Sequence, residues 1–333
     1  MASPTLTDKT KRHWRVLRNA LLRSTSNGAS STSDAPGDTA SAIATQFFPL
    51  YPESPVDTLT VQMQSPALEN FAWVTYDLTM EKRLEKPVKV FVHEKRKDVK
   101  RVSIAELLSH KVNQGVDNTG NIRTWPSEQI LLSYMLSSGM CSQVQRRDIN
   151  RNLLPVTCCE LGGGMAGLAS LGMLACAPVA FERIVVTDGN PLSVENLQLC
   201  VQENKKQKVF ARGADITAEL LRWDRNATLR EDLQHQFDLV FASDCLFFEE
   251  FHEDLAHTIK NLLRHGSGRC LLLQPSRNGS MERFCAVAER HGFTIRQSRD
   301  YDTEIARKHE EYQRTRHDYV PDVHFPVLLT LSL

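Results

Sequence analysis

No run of about 18 consecutive apolar residues occurs in the sequence, so no membrane-spanning helix is expected, and no secretory signal peptide is visible. Neither sign of charge is in excess, because 40 Lys and Arg balance 40 Asp and Glu. Nucleic-acid binders usually carry a strong basic surplus, so that partner class is set aside. The eight cysteines form no Cys-x-x-Cys pair, and Cys158 and Cys159 are merely adjacent. Buried free thiols in a reducing compartment account for them better than disulfides or metal ligands do. The eleven histidines show no ligand spacing, and neither His-Glu-x-x-His nor Gly-x-Ser-x-Gly is present. Those absences argue against a metalloprotease and a serine hydrolase, and no metal is expected. The P-loop pattern G-x-x-x-x-G-K-[ST] is missing too, which excludes P-loop nucleotide hydrolysis. A soluble cytoplasmic protein is the expectation, with the nucleus as a second compartment.

What is there falls into three parts. A length of 333 residues with 41% hydrophobic content suits one full-size domain and an accessory segment. Residues 1–45 combine a basic stretch, with Trp14, Leu17, Leu21 and Leu22 at helical spacing, and a small polar linker from Ser24 to Ser41 that is expected to be disordered. A transit peptide and a docking helix are both open readings of the basic stretch. Residues 46–145 form an N-terminal accessory α/β region. Its segments FAWVTYDLT and VKVFVHE predict a hairpin, Ser103 to Glu106 fits a capping box, Asn118 to Gly120 supplies a turn, and Pro126 opens a helix.

From 146 to 333 strands and helices alternate. Strands are predicted at 156–161, 183–188, 216–222, 237–243 and 269–274, and helices near 166–176, 191–204, 248–264 and 279–291. That alternation predicts a doubly wound, Rossmann-like α/β sheet. FTIRQS and HFPVLLTLSL add two closing strands around the charged helical insertion TEIARKHEEYQRTRHD, and pairing them as neighbours ends the sheet in an antiparallel pair. No internal repeat is evident.

The chemistry concentrates in CELGGGMAGLASL. Gly162, Gly163, Gly164 and Gly167 sit where a strand meets a helix, a place where backbone approaches ligand and a helix N-terminus offers free N–H groups. Asp188 ends the next strand, about 20 residues past the glycines, where an acid meets ribose hydroxyls. The ligand is therefore a nucleoside of some kind. In LRWD, Trp223 could lie on an adenine face with Asp224 accepting its amino group, or be a core Trp beside a solvated Asp. Asp244, in FASDCLFF, emerges at the same sheet edge. Glu160 decides between cofactors: a carboxylate there opposes a pyrophosphate but favours the ammonium and sulfonium of S-adenosylmethionine. A nicotinamide-dependent oxidoreductase explains the glycines and Asp188 but not Glu160 and Asp244, and a catalytically silent binding module is the other alternative.

DNTGNIRTWPSE, CELGGGMAGLA, VVTDGN, LRWD, FASDCLF and RDYDTEI together resemble the seven-β-strand methyltransferases, in their protein-lysine branch and most closely its calmodulin-lysine N-methyltransferase group. The likeness runs from about Asp117 to the C-terminus and weakly covers WRVLRNALLR. It implies a seven-stranded sheet, S-adenosylmethionine as methyl donor and a lysine of calmodulin as acceptor, with no membrane partner and a monomeric state. It also implies roles for individual residues. Trp125 would pack beside the cofactor, Gly162 to Gly164 would face its methionine part, Asp188 would hold the ribose, Trp223 would border the adenine, and Ser243 would contribute where relatives often carry alanine. Asp244 would orient the acceptor amine, and Phe247 stands where relatives often have tyrosine. The basic runs EKRKDVKR and KKQK are candidates for contact with an acidic substrate.

Overall fold

In chain order the elements are β1 (Glu53–Pro55), β2 (Phe71–Asp77), β3 (Lys89–Lys95), α1 (Pro126–Ser137), α2 (Met140–Gln143), β4 (Val156–Leu161), α3 (Leu168–Cys176), β5 (Phe181–Asp188), α4 (Pro191–Lys206) and β6 (Asp215–Leu220). There follow β7 (Leu239–Ser243), α5 (His252–Leu262), β8 (Arg269–Gln274), α6 (Ser280–Arg290), β9 (Thr294–Ser298), α7 (Thr303–Thr315), α8 (Pro321–His324) and β10 (Val327–Ser332). The computed structural model describes residues 47–56, 68, 71–78, 88–95, 124–177, 179–210 and 215–333. The segment expected over 1–45, the Ser103–Glu106 capping box, the Asn118–Gly120 turn and most of EKRKDVKR lie outside the described residues.

The main sheet has seven strands in the order β6-β5-β4-β7-β8-β10-β9. Pairing is parallel from β6 to β8 and antiparallel where β10 meets β8 and β9. The antiparallel finish expected from the two closing segments is present, with β10 lying between β8 and β9. Every residue of β4 is buried, as its central place in a sheet covered on both faces requires, and Thr157 and Glu160 are buried polar members of an otherwise apolar run. The chain lays β5 and β6 on one side of β4, then crosses to set β7 on the other side. Open α/β sheets bind ligands at the carboxyl edge of such a reversal, here between β4 and β7.

Several boundaries differ from expectation by one to four residues, among them the start of β5 at Phe181 and of β7 at Leu239, and two have a visible cause. The strand predicted over 216–222 stops at Leu220, because its partner β5 ends at Asp188 and turns into α4, so pairing ceases at Asp188 with Leu220. The helix predicted from 248 begins instead with a 3-10 turn at Glu249–Phe251, and the α-helix proper starts at His252.

The small antiparallel sheet β1-β2-β3 leans on α4 through side chains that complete its edge. Asn204 accepts the Phe91 N–H at 2.9 Å and donates to the Phe91 carbonyl at 2.6 Å, as a neighbouring strand would. About two turns earlier on the same helix Asn196 meets His93 Nδ1 at 2.7 Å and donates to the His93 carbonyl at 2.7 Å. Helix α1 packs on α3, where Gly172 makes room: a Cβ there would run into Leu132. Residues 47–51 tie α1 to the α7–α8 segment. Phe47 and Phe48 pack edge-on against Tyr312 and Tyr319, while Gln129 Oε1 accepts the N–H groups of Leu50 and Tyr51. Among the described residues no helix is long and apolar enough to cross a membrane.

Candidate functional site

At the carboxyl edge of β4 the backbone turns sharply through Gly162, whose φ is +65°, the left-handed region that side chains avoid. A Cβ on Gly162 would stand 2.8 Å from Cys245 Sγ and 3.6 Å from the Trp223 ring. The turn after β4, the loop after β6 and the loop after β7 therefore meet at this glycine. Gly163 donates to the Thr187 carbonyl at 2.9 Å, and the Gly164 N–H reaches Asp188 Oδ2 at 3.0 Å. The other Asp188 oxygen accepts from Asn190 N at 2.8 Å. Gly162, Gly163, Gly164, Asp188 and Trp223 are thus gathered in one crevice, with Ser243 at the end of β7 beside it. Asp224, by contrast, is exposed and accepts the Asn226 N–H in a local turn at 2.8 Å.

Glu160 sits beneath this crevice, 2% exposed, and Oε2 accepts the Ser170 N–H at 3.2 Å. A second acid, which sequence reasoning missed, arrives beside it. Glu128 from the first turn of α1 is 5% exposed and accepts the Ala169 N–H at 3.3 Å. Helix α3 has no side-chain cap of its own, so these two carboxylates, delivered by α1 and β4, satisfy the orphan donors of its first turn. Burial pushes the Glu160 carboxyl up to about 7, with the charge of Asp188 adding to the effect. Burial, then the neighbouring Glu160, raises Glu128 well above the ordinary glutamate value. In the sequence Glu128 looks like any acid in a helix's first turn, and nothing local marks it.

Trp125 is the N-cap residue of α1, half-buried, and is joined to the crevice through Glu128 three residues on. Its neighbour Thr124 binds Glu94 of β3 through both N–H and hydroxyl, and Glu94 also accepts from Tyr76 Oη at 2.9 Å. The small sheet is in this way fastened to the entrance of α1.

Past β7 the chain makes a second strained turn. Asp244 has φ +53°, and its N–H donates to the Leu273 carbonyl at 3.0 Å. Its carboxylate is gripped by Arg277, with Nε on Oδ1 at 2.8 Å and Nη2 on Oδ2. The guanidinium also lies 5.4 Å from the Phe247 ring centroid. Phe247 in turn meets Phe248 edge-on at 4.8 Å, extending an aromatic shelf beside Asp244. Arg277 is a further residue the sequence did not single out. The Ser-Arg-Asn-Gly turn that carries it could have signalled a loop at the sheet edge, but not its partner 33 positions earlier.

The crevice is acidic. Burial first, then the charges of Asp244, Asp188 and Glu160, push the half-buried Cys245 thiol well above its ordinary value. Such a donor set fits a nucleoside that bears a cation. It does not fit a dinucleotide, because the N–H groups of Ala169 and Ser170 that would hold a pyrophosphate already serve carboxylates. The basic run KKQK lies at the opposite edge of the sheet: Lys205 donates to the Ile216 carbonyl at the start of β6, and Lys206 pairs with Glu203. Among the described residues no group of His, Cys, Asp and Glu is placed to hold a metal ion.

The sequence pattern of the family described as Lysine methyltransferase matches residues 108–291. Calmodulin-lysine N-methyltransferase of Arabidopsis thaliana is 30% identical over 308 residues, spanning 92% of this chain and 90% of the relative. Among solved structures, the [4+2]-cyclase SpnF aligns with a TM-score of 0.39 at 13% identity, over 65% of this chain and 84% of that one. A methyltransferase from Pyrococcus furiosus aligns with a TM-score of 0.37 at 14% identity, over 69% of this chain and 92% of that one.

Proposed function

Because the chain belongs to the lysine methyltransferase family, we propose that it transfers methyl groups from S-adenosylmethionine to a lysine side chain of calmodulin. The observation that carries the cofactor is the start of α3, capped by Glu128 and Glu160 inside an acidic crevice. The name of the 30% identical relative supports calmodulin as the protein substrate. When bound, S-adenosylmethionine supplies a methyl carbon on a positively charged sulfur, which an amine displaces as the S–C electron pair returns to sulfur.

The chain's own residues divide the work. Gly162 to Gly164 leave room for the methionine part, Asp188 presents its carboxylate to the ribose, and Trp223 borders the base, with Trp125 and Ser243 closing the sides. Glu160 supplies negative charge under the ammonium. Free lysine has a pKa of about 10.4, so only about one amine in a few thousand is neutral at pH 7. Desolvation against Phe247 and Phe248 and the adjacent sulfonium favour the neutral amine, whose lone pair forms the new N–C bond. Asp244 accepts an N–H of that amine and fixes its direction, and the proton released goes to water. Holding donor and acceptor in line supplies much of the acceleration.

The test is intact-mass spectrometry of unmethylated calmodulin incubated with this protein and S-adenosylmethionine, with Asp188→Ala in parallel. Stepwise gains of one methyl group, lost in the variant, support the whole reading. Cofactor binding without any gain retains the methyltransferase site and removes calmodulin as substrate. Absence of cofactor binding removes the site assignment.

A further inference from the structure

Asp244 poses a difficulty for a lysine methyltransferase. A lone carboxylate beside the acceptor would hold the lysine as an ammonium, the form that has no lone pair to attack with. The structure offers a remedy in Arg277. Its guanidinium meets both Asp244 oxygens side-on, and the two side chains are only 12% and 10% exposed, so water screens the pair poorly. The geometry is imposed from both sides. Asp244 and Arg277 each occupy the left-handed region, at φ +53° and +48°, and Asn278 follows at +59°. The Arg277 turn is pinned to α8, where the Asp322 carbonyl accepts the Arg277 N–H at 2.9 Å and the Asp322 carboxylate accepts the Asn278 N–H at 2.6 Å. The planar guanidinium faces the Phe247 ring as well, which leaves it one orientation.

We propose that Arg277 is a positioning residue of the methyl-transfer site: it locks the Asp244 carboxylate in one direction and cancels its charge, so that the arriving lysine is not trapped as an ammonium. The inference rests on the reading of Asp244 as the residue that orients the acceptor. Other charged and titratable groups surround the pair. Cys245 lies on the same turn and Asp188 at the end of β5. Glu249 is paired with Arg283, and Glu282 accepts from Ser276. Asp322 and His324 lie on α8, and His324 is held down to about 4 by burial first and then by Arg277, so it is uncharged in the working range. None of these places a second cation on Asp244.

The experiment is the pH profile of kcat/KM for methylation of unmethylated calmodulin by the full chain and by Arg277→Gln, Arg277→Lys and the neutral pair Asp244→Asn with Arg277→Gln. In the wild type the rate rises with pH as the acceptor loses its proton. Arg277→Gln leaves Asp244 uncompensated and moves that rising limb about one unit higher, a roughly tenfold loss near pH 7.5 that alkaline pH restores. Arg277→Lys keeps the limb in place but lowers kcat, because the fork is gone. The double variant returns the limb to its wild-type position at reduced kcat, and it carries the test if Arg277→Gln does not fold. A uniform loss at every pH in Arg277→Gln, or a limb that stays shifted in the double variant, overturns the proposal. A wild-type protein that methylates nothing overturns the functional reading instead, and the two failures are distinguishable in one data set.

Discussion

The carboxylates of Glu128 and Glu160 accept adjacent backbone N–H groups, those of Ala169 and Ser170, at the first turn of α3. Two buried acids side by side oppose each other's ionisation, and a cation bound in the crevice relieves them.

That arrangement makes the ligand-free protein pH-sensitive. The folded Glu160 carboxyl is raised from 4.5 to about 7, so folding takes up a proton between those values. Its contribution to stability is complete below pH 4.5 and is lost as pH climbs through about 7. Thermal melts of the ligand-free protein from pH 5 to 8 are expected to show a falling Tm, on a scale of roughly 2–4 °C per kcal/mol. Glu160→Gln flattens that slope and weakens cofactor binding. A slope unchanged by the substitution rules Glu160 out as its source.

Asp238, 1% exposed at the start of β7, is held by Arg146 at 2.7 Å, Arg264 at 2.8 Å and the Thr157 N–H at 3.0 Å. Asp238→Ala leaves a buried amide unpaired and two guanidinium groups facing each other. The expected cost is about 3 kcal/mol, the lower end for breaking a buried pair because both arginines are about a quarter exposed. Urea unfolding reads it as a lower midpoint at unchanged m-value. Cofactor affinity of the folded fraction stays the same, since Asp238 lies at the opposite end of β7 from Asp244.

At Gly162 an alanine meets both a backbone it disfavours and Cys245 Sγ at 2.8 Å. Strain of roughly 1–2 kcal/mol in the left-handed region, relieved by shifting the turn out of its binding geometry, translates into a roughly 5- to 30-fold loss of cofactor affinity by calorimetry. Adding Cys245→Ala recovers part of the loss by removing the clash but not the strain. A full recovery makes the clash the whole cost.

The docking of the small sheet depends on Asn204. Replacing it with leucine leaves the Phe91 N–H and carbonyl without this partner, at about 1 kcal/mol for each group because both are only partly buried. Faster amide exchange confined to β2 and β3, with β4 to β8 unaltered, is the expected result. Uniform acceleration points to a global loss of stability instead.

How much of this was legible in the sequence follows from the range of the interactions. The parallel strands were visible because their segments are short and mostly apolar or β-branched and alternate with helical patterns, and Val156–Leu161 begins and ends where its composition says. The glycines and Asp188 were visible because the turn and the next strand's end lie close in sequence. Glu128, Arg277 and Asn204 were not, because each acquires its part only from a partner 41, 33 or 113 positions away. The left-handed backbone at Asp244 left no trace either, since no glycine marks it. Leu220 ended β6 early for a reason that belongs to β5 alone.

Strand β10 pairs with β8 along one edge and β9 along the other. During synthesis, then, both neighbours leave the ribosome with bare edges, inviting contacts with other chains until Val327–Ser332 emerge. The α7–α8 segment between β9 and β10 carries the Asp322 anchor of Arg277, so the turn that aims the guanidinium is unpinned until residue 322 has emerged. The Asp244–Arg277 edge of the crevice is therefore completed long after the glycine turn and Asp188, which rest on β4 and β5.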